Sequence, residues 1–280
     1  MAAPTIVFLH GAWVTPACWD AMRGYFEARG YTCLAPAWPG KDRSVDAIRR
    51  DPSALAGLGI AEITASFEAV VRGLPEPPIL IGHSFGGLFT QLLLDRGLGA
   101  AGVAIDPAPP RGVVVWEPSA FRSLIGVLAT WRGWRKVVRW KYSNFRYAFV
   151  HTLPEPDAQA AFNAHVTPET GRVFFQGALS MLDPKRPAQI HFAKTARAPL
   201  LLIAGTADHI VPASVVRRTF GKYRKAAAVT ELVEFAGRTH WIIAEPGWEE
   251  VAGAIERWLE ARGVGIGSGT PAIQPAGAAS

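Results

Sequence analysis

The sequence predicts an α/β fold with a mostly parallel, doubly wound sheet and an inserted helical segment. First, short aliphatic and β-branched runs alternate with longer stretches that carry apolar residues at helical spacing. Second, most of these runs are apolar on both faces, which is typical of parallel strands covered by helices on both sides. Third, the alternation stops once, over residues 107–197, and then resumes.

Six runs predict the strands of this sheet. Five segments between and after them predict the covering helices, and the last places Trp248, Val251, Ile255 and Trp258 at i, i+3, i+7 and i+10. Repeated strand and helix units favour right-handed crossovers between parallel strands. The predicted strands are 5–9, 31–36, 77–82, 100–106, 198–205 and 230–235; the predicted helices are 16–29, 59–72, 84–96, 213–223 and 247–262.

Residues 107–197, called the inserted segment below, show no convincing buried strand. Prolines divide this segment into helical pieces over 119–132, 135–149, 156–164 and 169–181. Because the strand pattern resumes afterwards, an insertion into one α/β core is favoured over a second independent domain. The expected organisation is a core of 1–106 and 198–262, a helical cap over 107–197 and a disordered Gly, Pro, Ala and Ser tail over 263–280.

The composition is that of a core-forming protein. Hydrophobic residues make up 49% and charged residues 19% of 280 residues, which excludes wholesale disorder. The two cysteines, Cys18 and Cys33, are too few for a disulfide framework and are expected to be free thiols. The first residues lack a basic region typical of a signal peptide, and the longest apolar stretch, 79–94, is interrupted by polar residues. A cytoplasmic location is the expectation, and the oligomeric state stays open.

The net charge of +6 is concentrated in one part of the inserted segment. Residues 111–150 hold eight basic side chains and one acidic side chain, Glu117, so the rest of the chain sums to −1. Interleaved tryptophans and tyrosines there could indicate a single-strand nucleic-acid platform, but a solvated helix face is the favoured interpretation. A surface that steers anionic substrates or contacts an anionic membrane is the remaining hypothesis. The basic residues are Arg111, Arg122, Arg132, Arg135, Lys136, Arg139, Lys141 and Arg146.

The strongest chemical signal is IGHSFGG (81–87), which places G-x-S-x-G between a strand and a helix. A sharp turn there leaves space only for glycine beside the serine and presents Ser84 at the carboxyl edge of the sheet. The amides at the start of the following helix favour developing negative charge. Ser84 is therefore the predicted nucleophile.

A serine nucleophile needs a base and an acid, and both follow in the order typical of this turn. Asp208 lies just after the strand 198–205, and His240 lies in GRTHW (237–241) after the last strand. Asp106, which also ends a strand, is the alternative acid. No pair of histidines or cysteines has metal-ligand spacing, so neither a metal nor another cofactor is expected.

The first strand runs into HGAW (10–13), where Gly11 allows the loop to approach the nucleophile. The amides of Ala12 and Phe85 are the predicted oxyanion hole. Trp13, His83 and Trp241 are the candidate substrate-pocket residues, although most aromatic residues of the inserted segment are expected to pack it onto the core.

HGAW, GHSFGG, GTADHIVP and GRTHW, in this order, resemble the α/β-hydrolase fold superfamily of the capped esterase type, over residues 4–262. The resemblance implies a cofactor-free serine hydrolase whose helices over 107–197 cap the pocket, and a sheet without the first two of the eight family strands. Serine at the nucleophile position disfavours haloalkane dehalogenase and epoxide hydrolase chemistry.

The expected reaction is carboxylic ester hydrolysis of a small, apolar substrate, without nucleic acid or stable membrane insertion. Hydrolysis of lactones or carbon-carbon bonds and cofactor-free perhydrolysis remain open, because the same triad supports them. A small-molecule receptor on a hydrolase fold is the alternative from a different class.

Overall fold

The computed structural model describes residues 3–266, and its central sheet has six strands, all parallel. The six strands of this sheet are β1 (Thr5–Leu9), β2 (Thr32–Leu34), β3 (Ile79–His83), β4 (Ala101–Ile105), β7 (Leu200–Gly205) and β8 (Thr230–Phe235). The strands β5 (Val137–Val138) and β6 (Glu169–Thr170) form a separate pair. The sheet order is β2-β1-β3-β4-β7-β8. The order grows outward in both directions from β1 and β3, so the prediction of a doubly wound parallel sheet is confirmed.

Helices flank this sheet. They are α1 (Asp20–Glu27), α2 (Val45–Arg50), α3 (Ile60–Arg72), α4 (Phe85–Asp95), α5 (Pro118–Leu128), α6 (Tyr142–Ala148), α7 (Glu155–His165), α8 (Arg172–Ala178), α9 (Ala213–Tyr223) and α10 (Trp248–Ala261). Helix α4 packs on β1, β3 and β4, and α9 packs on β7 and β8. Helices α1 and α10 contact each other, and the Tyr25 hydroxyl donates to Glu256 across them at 2.8 Å. The five helices predicted for the core are all present.

Burial follows the position of each strand in the sheet. Every residue of β3, β4 and β7 is buried, because helices cover both faces of these interior strands. The edge strand β8 is buried only at Phe235, and its exposed Glu234 pairs with Arg217 of α9. Charged side chains on an edge strand discourage pairing with another sheet.

The inserted segment contains α5 to α8 and also a short antiparallel pair, β5 with β6. Two helix predictions are therefore wrong in part: the helix expected over 135–149 forms only as α6, and the helix expected over 169–181 only as α8. Val137 and Val138 extend and pair with Thr170 and Glu169, and the left-handed backbone of Arg132 (φ 53°) turns the chain before them. The β-branched valines suit this extended pairing.

Helix α2 was not predicted, although its start carries a signal. Ser44 accepts the amide of Ala47 at 3.3 Å as an N-cap. No helix in residues 3–266 is long and apolar enough to cross a membrane. The tail expected to be disordered falls almost entirely outside the described residues.

Candidate active site

The parallel sheet brings the carboxyl ends of its strands to one edge, and the candidate residues lie there. Ser84 follows β3, Asp208 follows β7 and His240 follows β8. Asp106 follows β4, and the HGAW loop follows β1. Residues far apart in sequence therefore lie at one edge, because each follows a strand of the same sheet. His240 bonds Asp208 there, whereas no hydrogen bond joins Ser84 to His240 within residues 3–266.

The turn at Ser84 has the strained geometry that its motif predicts. Ser84 has φ 57° and ψ −121°, a region that L residues rarely occupy, and it immediately precedes α4. A Cβ on Gly82 would overlap the Gly86 backbone, and one on Gly86 would overlap the carbonyl oxygen of Leu9. Gly82 is therefore required by close contact within the turn, and Gly86 by contact between the turn and the end of β1.

His240 and Asp208 form a fully buried pair. The Nδ1 of His240 lies 2.5 Å from Oδ2 of Asp208, and Asp208 Oδ1 accepts the amides of Ile210 and Val211 at 2.7 and 2.8 Å. Because a carboxylate only accepts, Nδ1 carries the proton and Nε2 has a free lone pair. The Nε2 atom is buried and has no hydrogen-bond partner within residues 3–266. This nitrogen is available to take a proton.

A second carboxyl group holds the loop that carries His240. Glu245 accepts the Thr239 amide at 3.1 Å and the Thr239 hydroxyl at 2.6 Å, and burial raises the pKa of Glu245. The Trp241 amide donates to the carbonyl of Phe149 at 3.2 Å, while the Phe149 ring lies edge-on to His240 with centroids 4.5 Å apart. Glu245 was not identified from the sequence, where a glutamate three residues before a helix has no distinctive pattern.

Asp106, the alternative acid, has a different environment. Its Oδ1 accepts the Gly205 amide at 2.8 Å, and it makes no hydrogen bond to His240. Burial, and then the negative charge of Asp208, raise the pKa of Asp106 well above its usual range. Both causes favour the protonated, uncharged form of the Asp106 carboxyl beside the His240 and Asp208 pair.

His83, predicted to line the pocket, instead supports the backbone at His240. Its Nε2 lies 2.8 Å from the His240 carbonyl oxygen, so Nε2 carries the hydrogen and donates it. Burial, and then the proximity of His240, lower the pKa of His83 well below its usual range, which keeps the ring neutral.

In residues 3–266, one group of side chains could hold a metal ion: one ligand atom from each of His83, Asp106 and His240 lies within 4.8 Å of the others. A cation bound there would use as a ligand the imidazole of His240, which is also bonded to Asp208.

The HGAW loop approaches Ser84 closely. A Cβ on Gly11 would lie 2.8 Å from Cβ of Ser84, which explains the glycine. Within residues 3–266 the amides of Ala12 and Phe85 donate no hydrogen bond, so two N–H groups remain available beside the serine.

The inserted segment fixes this loop through a buried ion pair. Lys41 Nζ lies 2.5 Å from Oε2 of Glu169, and both side chains are fully buried. The same Glu169 oxygen accepts the amide of Trp13 at 3.0 Å, and the Thr167 amide donates to the Trp13 carbonyl at 2.7 Å. Trp13 itself has φ 71° and stacks on Trp140 with centroids 4.3 Å apart. Neither Lys41 nor Glu169 was identified from the sequence, because 128 positions separate them.

A cavity of about 400 Å³ contains Ser84, Ala12 and Phe85. Its wall is mostly apolar, and Glu117, the one charged side chain that residues 3–266 contribute to it, is bonded to Arg218 and Ser214 at 2.6 and 2.5 Å. The remaining wall residues are Trp13, Ala108, Pro109, Val113, Val114, Val115, Trp116, Ala120, Phe121, Leu124, Leu128, Phe174, Gly177, Ala178, Ser180, Met181, Ile210 and Val211.

Of the three predicted pocket residues, only Trp13 lies in this wall. His83 is turned to the His240 backbone, and Trp241 packs among Phe145, Phe149 and His165. The free cysteines do not compete as nucleophiles at this edge: burial raises the pKa of Cys33 to about 12, and burial also raises the pKa of Cys18.

Comparison with known proteins places the chain in a family. The model of the alpha/beta hydrolase family matches residues 6–254, so the protein belongs to that family, as the motifs predicted. No significant match is found among curated proteins.

Solved structures share the fold at low sequence identity. A monoacylglycerol lipase from Paleococcus ferrophilus superimposes with a TM-score of 0.65 at 23% identity, covering 94% of this chain and 97% of that one. A pyrethroid hydrolase from Sphingobium faniae JZ-2 gives 0.65 at 20% identity, covering 92% and 98%. A mutant of methylketone synthase I from tomato gives 0.66 at 13% identity, covering 94% and 100%.

Proposed function

We propose that this α/β hydrolase is a cofactor-free serine esterase that cleaves uncharged carboxylic esters with a medium-sized apolar acyl or alcohol group. The observation that carries the proposal is the shared cavity: Ser84, Ala12 and Phe85 line one mostly apolar space, at the sheet edge where His240 bonds Asp208.

In the proposed reaction, Ser84 Oγ attacks the ester carbonyl carbon and its proton passes to Nε2 of His240. The negative charge on the former carbonyl oxygen is stabilised by the amides of Ala12 and Phe85. Collapse breaks the bond to the leaving alcohol, which takes the proton from His240. Water then attacks the acyl-enzyme and gives a proton to Nε2 of His240. The bond to Ser84 Oγ breaks, that proton returns to Ser84, and the carboxylic acid leaves.

Asp208 is the proposed acid of the triad. It keeps the proton of His240 on Nδ1 and stabilises the imidazolium that forms during the attack. Its second oxygen is bonded to two backbone amides, which fixes the carboxylate. Asp106 is not assigned this role, because it makes no hydrogen bond to His240 and its raised pKa favours the uncharged form.

The character of the cavity wall supports an uncharged substrate. No basic side chain lies in the wall, and the one carboxylate is already bonded to an arginine and a serine. An anionic acyl group would lose hydration without gaining a partner, which is costly. The lipase and the pyrethroid hydrolase are named for a monoacylglycerol and for pyrethroids, which agrees with this substrate class.

We also propose that the inserted segment acts as the cap over a core of residues 1–106 and 198–262. Residues of α5, α8 and the loop between β4 and α5 supply most of the cavity wall. In this proposal the inserted segment determines which substrates fit the cavity, while the carboxyl edge of the sheet holds the residues that react.

The direct test is labelling with a fluorophosphonate probe, compared between wild type, Ser84→Ala and Ser180→Ala. Ser180 is the matched control, because it lies in the same cavity wall. We expect labelling of wild type and Ser180→Ala and loss of labelling in Ser84→Ala. Labelling that persists without Ser84 would overturn the assignment.

The reaction type is tested with p-nitrophenyl butyrate, an uncharged lactone and a diketone. We expect turnover of the ester that depends on Ser84. Labelling without turnover of the ester would retain the nucleophile and reject the esterase.

A further inference from the structure

The inserted segment exposes an unusual amount of apolar surface. Ten of the twelve large hydrophobic side chains that are clearly exposed in residues 3–266 lie in it. The other two are Val229, just before the outermost strand β8, and Val233 within β8. The ten are Val114, Val115, Trp116, Phe121, Ile125, Trp131, Trp134, Leu179, Met181 and Leu182. Exposed apolar residues concentrated in this way mark an interaction surface.

Helix α5 buries Ala120 and Val127 on its inward face and is apolar on its outward face as well. A helix on the surface of a globular protein normally turns its apolar residues inward and its polar residues outward. Here Phe121 and Ile125, one turn apart, face solvent, while Ser123 is buried. Packing on the core therefore does not explain the outward apolar stripe.

The exposed apolar residues surround the opening of the Ser84 cavity. Val114, Val115, Trp116, Phe121 and Met181 are exposed and also line the cavity. Leu179 and Leu182 flank Met181 just after α8, which packs on α5. The turn after α5 adds Trp131, whose exposed fraction of 79% is the largest among these hydrophobic residues, and Trp134, which packs on Phe175 of α8. These elements form one apolar rim.

Unpaired positive charge lies within this rim. Arg122 of α5 and Arg132, Arg135 and Lys136 of the following turn are exposed. None of them has a carboxylate within 4.0 Å in the part of the chain from residue 3 to residue 266. Glu117, the one acidic residue of positions 111–150, is bonded to Arg218. The surface is therefore apolar, aromatic and positively charged.

We propose that this rim docks onto an anionic lipid surface, with the opening of the cavity facing the lipid. Tryptophan side chains suit the boundary between headgroups and acyl chains, and basic residues next to them gain attraction to anionic headgroups. Docking requires no membrane-spanning helix.

Charge and geometry select lipid over a protein occupant. A second copy related by a two-fold axis would place the same unpaired basic residues against themselves, and like charges oppose that contact. A protein bound to the rim would also close the opening of the cavity. A fluid lipid surface would instead let apolar molecules pass from the lipid into the cavity. Access of a lipid-dissolved ester to Ser84 rests on the proposed function; docking itself does not.

The test is co-sedimentation of the intact protein with vesicles of phosphatidylcholine alone or containing phosphatidylglycerol. One variant reverses three rim charges, Arg132→Glu, Arg135→Glu and Lys136→Glu. The matched control, Lys222→Glu, Arg224→Glu and Lys225→Glu, changes net charge equally on exposed residues at and just after the end of α9. A third variant, Ile125→Ser, Trp131→Ser and Leu182→Ser, removes apolar rim residues that lie outside the cavity wall.

We expect wild type to bind the anionic vesicles, with binding that weakens as salt is raised. The rim charge reversal should lower the partition coefficient more than about tenfold, because each basic residue near an anionic surface strengthens the attraction and three are reversed. The α9 control should stay within about threefold of wild type. The serine variant should also bind more weakly, with unchanged hydrolysis of a water-soluble ester.

Three results would overturn docking: no binding of wild type to anionic vesicles, equal losses in the rim and control charge variants, or a dimer that the serine variant dissociates without any lipid binding. Because co-sedimentation does not require turnover, a catalytically silent protein that binds vesicles would reject the proposed function and retain docking.

Discussion

The sheet edge and the inserted segment use burial in opposite ways. At the sheet edge, His240 and Asp208 are buried, and each is fixed by hydrogen bonds from neighbouring strand ends. In the inserted segment, large apolar side chains such as Trp131 and Leu182 stay in solvent, while unpaired basic residues lie beside them. The edge is built to hold a few atoms in place, whereas the segment is built to present a surface. The two meet at the HGAW loop.

The largest effect expected at the sheet edge comes from Asp208→Asn. The amide cannot hold His240 in the tautomer that leaves Nε2 free, so kcat should fall by about 10³-fold or more. Steady-state kinetics with p-nitrophenyl butyrate measures this change.

Asp106→Asn is the matched control, since Asp106 lies beside Asp208 and is equally buried. Because Asp106 makes no hydrogen bond to His240, and because burial and the Asp208 charge raise its pKa and favour the uncharged form, asparagine is a close replacement, and kcat should stay within about tenfold. If Asp106→Asn loses as much activity as Asp208→Asn, the assignment of the acid is wrong.

The second effect concerns the ion pair that joins the two regions. Lys41→Met leaves Glu169 buried without its cation, so the free energy of unfolding should fall by about 3–5 kcal/mol. Urea denaturation measures this loss, and kcat should fall as well, because Glu169 also holds the Trp13 amide beside the oxyanion hole.

Arg72→Met provides the comparison, because Arg72 and Glu68 approach within 2.6 Å on the surface of α3. Removing this exposed partner should cost less than about 1 kcal/mol. An equal loss in the free energy of unfolding of the two variants would mean that burial does not make the Lys41 and Glu169 pair more important for stability than an exposed pair.

The sequence predicts the sheet edge well because local patterns determine it. Gly82, Ser84 and Gly86 form their turn from one short stretch of chain, so the turn is visible as a local motif. An acid or base just after a parallel strand lies at the carboxyl edge of the sheet, and this position can be predicted without knowing its distant contacts. Strands β3, β4 and β7 are apolar throughout because both faces are covered, so their positions are visible in the sequence.

The inserted segment is predicted less well, since distant partners decide its structure. Val137 and Val138 are strand residues only because Glu169 and Thr170 pair with them. Helical spacing on α5 marks an apolar face without saying that Phe121 points to solvent. His83 lies beside the nucleophile in sequence, yet its ring turns to the His240 backbone, which no local pattern indicates.

The third effect tests the apolar wall that the inserted segment provides. Mono-p-nitrophenyl succinate matches p-nitrophenyl butyrate in length but carries a carboxylate. Among residues 3–266, no lysine or arginine side chain lines the cavity. The value of kcat/KM for the anionic ester should therefore be lower than for p-nitrophenyl butyrate by about tenfold or more. The two esters share a leaving group, so the ratio reports on the acyl side. A preference for the anion, lost at high salt, would instead support electrostatic steering by the basic residues.

The smallest effect is a pH dependence that arises in the buried core. His10 accepts the Trp38 amide on Nε2 at 3.2 Å and donates from Nδ1 to the Gly11 carbonyl at 2.8 Å, so only the neutral ring satisfies both bonds. Burial, and then the charge of Lys41, lower the pKa of His10 well below its usual range.

The sign of the effect follows from this lowered pKa. Above about pH 6.5 the ring is neutral in both folded and unfolded protein, whereas below it the unfolded chain takes up a proton that the folded protein does not. The free energy of unfolding should therefore fall as pH drops from 7 to 5.5, with a contribution from His10 approaching about 1.4 kcal/mol per pH unit. His83, whose pKa is also lowered by burial, adds to the same slope.

His10→Gln isolates the contribution of one ring, because its side-chain oxygen can still accept the Trp38 amide but does not titrate. Urea denaturation at pH 7, 6 and 5.5 should show a slope smaller by up to one proton in the variant, with folding at pH 7 verified by circular dichroism. Equal slopes in wild type and variant would mean that the buried ring titrates as freely in the folded protein as in the unfolded chain. The contrast between a fixed sheet edge and an exposed inserted segment would then not extend to the HGAW loop, since the His10 ring at its start would take up a proton that breaks its bond from the Trp38 amide.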